Sequence, residues 1–237
     1  MMKKKAKVPS APSRPAPVRR RIAIVDDHPF MRAGLAQLIG RQPDMEVAGE
    51  AGDPAEAIKA FARWAPDLVL ADMTMPGRSG LEFIRDILAV YPGMAVLVFS
   101  MHDEAIYAER VLRAGGRGYI MKESGGENLL AAIRQVLRGE VYVSERMSLR
   151  ILETFSGRLP RGSSSPIGKL TDREFEVFQL IGAGRSTKEI GVLLGLSSKT
   201  VDVHRGHIRE KLGLKDTTAL VRHAVRWVEA EGGPGKS

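Results

Sequence analysis

The sequence predicts an α/β domain, a doubly wound five-stranded parallel sheet, followed by a second, smaller all-α domain. Three observations carry this expectation. Between residues 22 and 138, short apolar runs alternate with amphipathic stretches; residues 139–168 break that pattern; and from Leu170 onward the chain reads as short helices with clear start signals.

The apolar runs are Ile22–Val25, Met45–Ala48, Leu68–Ala71, Ala95–Phe99 and Gly118–Met121, and helix-like segments follow them at about 29–40, 53–64, 80–90, 103–114 and 126–138. Repeated strand-then-helix units join parallel strands through right-handed crossovers that cover both faces of the sheet. Near-continuous apolar strands suit that burial better than the alternation of a half-exposed sheet. The break at 139–168 holds Gly157, Pro160, Gly162, Ser163, Ser164, Ser165, Pro166 and Gly168, a linker composition, with Glu145–Phe155 able to extend a helix before it. Beyond it, Thr171 with Glu174 and Ser186 with Glu189 make capping-box patterns, and Ser197 can cap a third helix. Gly182, Gly184 and Gly195 end the first two of these helices.

Composition narrows the class. The 237 residues are 43% hydrophobic, enough for a buried core, and contain no cysteine, which excludes disulfides, thiolate metal sites and cysteine catalysis. No apolar run reaches the roughly 18 residues that span a bilayer. The Lys-rich start is followed by prolines rather than an apolar segment, so it is not a secretory signal. A soluble, cytoplasmic protein without a membrane partner is expected. The formal net charge of +8 comes from 36 Lys+Arg against 28 Asp+Glu. Residues 1–21 alone carry eight basic side chains and no acid, whereas 22–150 balance to −4 and 151–237 to +4. The net charge therefore describes a Pro-rich basic arm, read as solvated tail or non-specific phosphate-binding arm.

In a doubly wound sheet, function collects at the carboxyl ends of the strands. Those ends carry Asp26 and Asp27, then Asp72, Ser100 and Lys122. Taken singly, each has a plain reading as a turn, cap or rim residue. Together they converge on one sheet edge. Carboxylates held a few ångströms apart repel unless a cation intervenes, and a hard divalent ion such as Mg²⁺ accepts oxygen ligands. A carboxylate nucleophile, Mg²⁺, a hydroxyl and an ammonium suit phosphoryl transfer onto Asp.

The segments IAIVDDHP, DLVLADMTMPGRSGLE, VLVFS and GYIMKES resemble the receiver domain of bacterial two-component response regulators, over residues 21–138. The resemblance implies a flavodoxin-like sheet order and makes Asp72 the phosphoacceptor. It has Asp27 binding Mg²⁺ directly with Asp26 alongside, and the Thr74 backbone carbonyl as a further metal ligand. Ser100 and Lys122 would contact the phosphoryl group, and Tyr119 matches the family's aromatic switch position. The plainer alternative for Tyr119 is a half-buried strand residue.

Three short helices with a glycine turn suggest a helix-turn-helix. In Ser197–Leu212, Val201, His204, Ile208 and Leu212 fall on one stripe expected to be buried, so His204 reads as a packed or phosphate-touching residue rather than a catalytic one. Lys199, Asp202, Val203, Arg205, Gly206 and Arg209 then face outward. The segment LTDREFEVFQLIGAGRSTKEIGVLLGLSSKTVDVHRGHIREKLGL resembles the LuxR/FixJ (NarL-type) DNA-binding domain along its whole length. That resemblance places the helix beginning near Ser198 in the major groove, with Lys199, Thr200, Asp202, Val203, Arg205, Gly206 and Arg209 as DNA-binding candidates. Some members carry basic residues where this chain has Asp202 and Gly206. Arg205 is the favoured base or phosphate contact, and Asp202 can accept from a cytosine amine. The last helix, about 217–230, is expected to expose Leu220, Val221, Ala224 and Trp227 as a dimerisation face, the alternative being packing against its own domain.

The expected organisation is a disordered basic tail (1–20), a receiver domain (21–140), a partly helical linker (141–168), a helix-turn-helix domain (169–231) and a disordered C-terminus (232–237). The implied function is transcription regulation by a DNA-binding phosphoprotein of a two-component phosphorelay. A cognate sensor histidine kinase and double-stranded DNA are the expected partners, RNA polymerase is a candidate one, and a homodimer is expected on phosphorylation. No enzymatic turnover is expected beyond self-phosphorylation and slow self-dephosphorylation. Two alternatives stand beside this: an Mg²⁺-dependent aspartyl-nucleophile phosphohydrolase, which usually needs an acid where Thr74 stands, and a constitutive DNA-binding protein whose receiver serves only dimerisation.

Overall fold

The computed structural model describes residues 19–75, 78–156 and 166–230. Most of the expected basic tail, the Gly/Ser-rich stretch at 157–165 and the expected C-terminal tail lie outside the described residues. Five parallel strands build the first sheet: β1 (Arg20–Val25), β2 (Met45–Ala51), β3 (Leu68–Ala71), β6 (Ala95–Ser100) and β7 (Gly118–Met121), in the order β2-β1-β3-β6-β7. A short antiparallel hairpin, β4 (Thr74–Met75) and β5 (Arg78–Ser79), follows β3.

Alternate residues of each strand feed opposite faces, and both faces are covered. Ile22, Ile24, Leu68, Leu70, Leu97, Phe99 and Ile120 cluster with α1 (Pro29–Gly40) and α5 (Gly126–Leu137). Ala23, Val25, Val69, Ala71, Val96, Val98 and Tyr119 cluster with α2 (Pro54–Trp64), α3 (Gly80–Val90) and α4 (Glu104–Arg113). Helix starts are set locally: Asp53, Ser79 and Asp103 each accept from a backbone N–H in the first turn of the helix they precede.

Three strands run longer than their apolar runs, β6 only by Ser100. β1 begins at Arg20, inside the segment assigned to the tail. Its charged residues are held at the strand's start, the Arg21 guanidinium bonding Glu46 and the Trp64 carbonyl. β2 continues past Ala48 through Gly49 and Glu50, because an edge strand tolerates a polar, half-exposed face. At Gly49 the Trp64 indole covers the place a Cβ would take.

Among the described residues the second unit is four α-helices after a short 3-10 turn at Pro166–Lys169: α7 (Asp172–Gly182), α8 (Thr187–Leu194), α9 (Ser198–Leu212) and α10 (Thr217–Ala230). Both capping boxes form, at Thr171/Glu174 and Ser186/Glu189, and Ser197 caps α9. The expected exposed face of α10 is corrected here. Leu220 and Ala224 are completely buried, and Trp227 is half-buried with its ring edge-on to Phe175 and Phe178. Of the four, Val221 stays exposed. An amphipathic stripe says that a helix has an apolar face, not what covers it, and α7 covers this one.

The linker is bound to the first unit before the second begins. Tyr142 bridges Gly118 at the β7 edge: its carbonyl accepts from Tyr119 N–H, and its own N–H donates to Arg117. Glu104 then accepts from Ser144 N–H, and α6 (Glu145–Phe155) follows with Met147 buried.

The two units dock through α3 and α4 on one side and the start of α7 on the other. Arg110, almost wholly buried, donates to the carbonyls of Ile167 and Leu170 and to Asp172, each at 3.0 Å, while its guanidinium lies 4.4 Å from the Phe175 ring centre. Arg85 also pairs with Asp172. In the reverse direction, Arg173 reaches Glu82 at 2.6 Å and Glu176 at 2.9 Å. Burial pushes the Glu176 carboxyl above its ordinary range, against hydrogen bonds with Ser79 and Arg173.

Gly182 lets α7 and α10 approach closely. A Cβ there would stand 2.5 Å from the Ala224 carbonyl oxygen and also strike Val228. Gly182→Ala is expected to cost about 1–3 kcal/mol through overpacking, despite alanine's better helix propensity. Thermal unfolding should show the lower midpoint; an unchanged or raised midpoint would mean that α10 is not seated this tightly.

Candidate functional site

The strand order decides what meets at the carboxyl edge. β1 and β3 are neighbours, so Asp26 and Asp27 stand beside Asp72, and β6 and β7 bring Ser100 and Lys122 to the same edge. Lys122 Nζ lies 2.7 Å from Asp26 Oδ2 and 2.9 Å from Asp72 Oδ2, with all three side chains nearly sealed from solvent. Burial pushes the Asp72 carboxyl above the usual carboxylate range, with the Lys122 hydrogen bond opposing it. Burial also works against the Lys122 charge, but its hydrogen bonds to Asp26 and Asp72 outweigh that and hold the ammonium protonated. Backbone contacts fix both acids: Asp26 N–H donates to the Ala51 carbonyl and Asp26 Oδ1 accepts from His28 N–H, while Asp72 N–H donates to the Val25 carbonyl and Asp72 Oδ1 accepts from Met73 N–H.

Ligand atoms of Asp26, Asp27, His28 and Asp72 lie within 4.8 Å of one another. Asp27 Oδ1 is buried and has no hydrogen-bond partner, although His28 Nδ1 stands 2.8 Å away. Carboxylate oxygens gathered this closely from three acids fit a divalent cation. Thr74 sits at the rim, on β4, two residues past Asp72.

Ser100 and Tyr119 are both completely buried. The Tyr119 hydroxyl donates to the His102 carbonyl at 2.8 Å, and burial drives its pKa far up, so it stays protonated. Ser100 Oγ accepts from His102 N–H at 3.2 Å. Tyr119 is thus neither the half-buried residue nor free to face solvent.

On α9, Lys199, Thr200, Asp202 and Val203 are exposed, while Arg205, Gly206 and Arg209 are half-buried. Arg205 donates to the Thr187 hydroxyl at 2.6 Å, tying α9 to the start of α8. Val201 and Ile208 are completely buried, but His204 and Leu212 are only partly so. His204 Nδ1 is buried without a hydrogen-bond partner, and burial lowers the ring's pKa.

Sequence reasoning missed His28, His102 and Arg110. The first two lie beside named residues, directly after Asp27 and two after Ser100, so adjacency was an available signal. Arg110 had none: on a helix rich in charge, nothing marks the one that will be buried.

A family model described as the response regulator receiver domain matches residues 22–134, and one described as bacterial regulatory proteins, luxR family, matches 168–224. The oxygen regulatory protein NreC of Staphylococcus carnosus is 36% identical over 210 residues, which is 87% of this chain and 97% of that one. A LuxR-family two-component response regulator from Aurantimonas is also 36% identical, with a TM-score of 0.54 over 58% of this chain and 99% of that one. RcsB of Salmonella enterica serovar Typhimurium, solved bound to promoter rprA with a phosphomimetic, shares the fold at a TM-score of 0.69 and 23% identity, over 87% and 98% of the two chains. No helix among the described residues is long and apolar enough to cross a membrane. The chain belongs to the two-component response regulators, a receiver domain joined to a LuxR-type helix-turn-helix DNA-binding domain.

Proposed function

We propose that Mg²⁺-dependent phosphorylation of Asp72 switches DNA binding by the second domain. The observation that carries this is the convergence of Asp26, Asp27, Asp72, Ser100 and Lys122 on one sheet edge, with Lys122 between two of the carboxylates. A carboxylate oxygen of Asp72 attacks the phosphorus of a phosphohistidine on the partner kinase. The P–N bond breaks, and its electron pair stays on the imidazole. Asp26, Asp27 and the Thr74 carbonyl, with Asp72 itself, would hold Mg²⁺, which supplies charge neutralisation for the phosphoryl oxygens. Lys122 leaves its carboxylate partner to meet one phosphoryl oxygen, and the Ser100 hydroxyl turns to donate to another.

Thr74 stands where an aspartyl phosphohydrolase would keep its acid, and its hydroxyl is 2.8 Å from His102 Nε2. This supports a regulator that hydrolyses its own phosphoryl group slowly rather than an enzyme acting on an external substrate. Sensor histidine kinase, double-stranded DNA and a second copy of the chain are the partners of this reading, with RNA polymerase a further one at the promoter. Lys199, Thr200, Asp202 and Val203 offer the open part of the DNA face, and Arg205 must release Thr187 to reach a base. For pairing through α10, Val221 and the half-exposed Trp227 remain of the four candidates.

Intact-mass measurement with acetyl phosphate and Mg²⁺ should find one phosphoryl adduct on the wild type and none on Asp72→Asn. An equal adduct on the variant would overturn the assignment. Lys122→Ala should slow adduct formation by roughly a hundredfold, as expected for a lost transition-state charge partner. Arg205→Ala should weaken specific DNA binding by about 1–3 kcal/mol in footprinting on promoter fragments; unchanged affinity and sequence preference would mean that α9 reads through other side chains.

A further inference from the structure

The helix α6 (Glu145–Phe155) is seated on one side only. Its inner face is fixed: Met147 is buried, Ile151 packs against the same core, Met147 N–H donates to Ser144 Oγ, and Arg150 reaches the Ala105 carbonyl. Its outer face is open. Leu149 and Leu152, one turn apart, are 56% and 64% exposed. Phe30, Val90 and Met101 also stay exposed in the receiver, but they stand singly on separate segments, which is ordinary for a protein surface. Two leucines on one stripe, on a helix already anchored by its other side, make an apolar face that the receiver does not cover.

The charges beside that stripe are self-complementary. Arg146 and Glu153 are both exposed and stand seven positions apart, about two turns, so they share one flank of the stripe with Leu149 between them. Among the described residues neither side chain has an ion-pair partner. A second copy of α6 can be laid antiparallel across this one, about a two-fold axis passing between residues 149 and 150. Arg146 of each copy then falls opposite Glu153 of the other, because both stand equally far from the axis. Leu149 meets its own counterpart, and Leu152 packs beside it. Glu145, on the opposite flank, stands at the helix start, so its two copies fall at opposite ends of the pair. A two-fold contact needs a patch that complements itself. A base and an acid at mirrored positions around a leucine meet that need, whereas a partner of one charge sign would be met by a rim of the other.

We infer that the outer face of α6 is where a second copy of this chain pairs, antiparallel, through Leu149, Leu152 and reciprocal Arg146–Glu153 contacts. The inference gives a surface to the second copy named in the proposed function, and it depends neither on phosphorylation nor on α10. One face of an 11-residue helix buries less than the roughly 1,200–2,000 Å² of a stable interface. Pairing is therefore weak between free chains and strengthens where two copies are held side by side on DNA.

The chain has no cysteine, so one introduced thiol reports on its own surroundings. In the full unphosphorylated chain under mild oxidation, Leu149→Cys should form a disulfide-linked dimer roughly tenfold faster than Val90→Cys, a similarly exposed apolar position on α3. Equal rates at the two positions would overturn the pairing, as would faster linking at Val221→Cys on α10. The register has its own test. Arg146→Cys and Glu153→Cys chains should link to each other when mixed and not to themselves, since two copies of either position fall about 10 Å apart along the helices. Linking of either chain to itself would overturn the antiparallel arrangement. Glu153→Arg in the Leu149→Cys chain sets like charges together and should slow linking about threefold or more, and adding Arg146→Glu should restore the rate. No recovery would overturn the charge pairing. Every substituted position is exposed, so none of these variants puts the fold at stake. A wild-type chain that takes up no phosphoryl group removes the assignment of Asp72 and leaves these results standing.

Discussion

The Lys122 ammonium is the interaction on which the sheet edge depends. Burying Asp26 and Asp72 side by side is unfavourable unless a positive charge satisfies them, and Lys122 contacts both. The arrangement follows from chain connectivity. Crossing over to β3 next to β1 sets the acids together, and adding β6 and β7 beyond β3 delivers the hydroxyl and the ammonium. The apolar strands supply rigidity, because Ile22–Val25 and Leu68–Ala71 are buried on both faces and leave the strand ends little freedom. Chemistry and core are thus one design: the same strands that cannot move hold the groups that must not.

Much of this was legible because the signals were local. The five apolar runs became the five strands, and three capping hydroxyls, Thr171, Ser186 and Ser197, began three helices where their spacing placed them. The carboxylates, Ser100 and Lys122 were found by asking what stands at each strand's carboxyl end. What stayed hidden depends on which surfaces meet. The apolar stripe of α10 is identical in sequence whether a second chain or α7 covers it, and α7 does. Glu50 and Gly49 looked like the end of a strand because an edge position, which excuses both, is a property of the sheet and not of the segment.

The interface between the domains shows the same limit more sharply. Arg110 and Glu176 belong to types seldom buried, and both are buried here. Nothing in an amphipathic pattern distinguishes them from solvated neighbours such as Arg113 or Glu109, which pair with one another in the open. The carbonyls of Ile167 and Leu170 explain Arg110: they lie at the approach to α7, both within reach of its one guanidinium. A charged side chain became a tether because the opposite domain offered three oxygens at once.

The small bridge between Tyr142 and Gly118 carries a further consequence. It fastens the linker to the β7 edge, and Glu104 extends the hold to Ser144. The connection to the DNA-binding domain therefore starts from a fixed point beside α4 rather than from the end of α5. Fastening the chain this close to the dock raises the local concentration of α7 there, so proximity adds to what Arg110 and Arg173 contribute by contact.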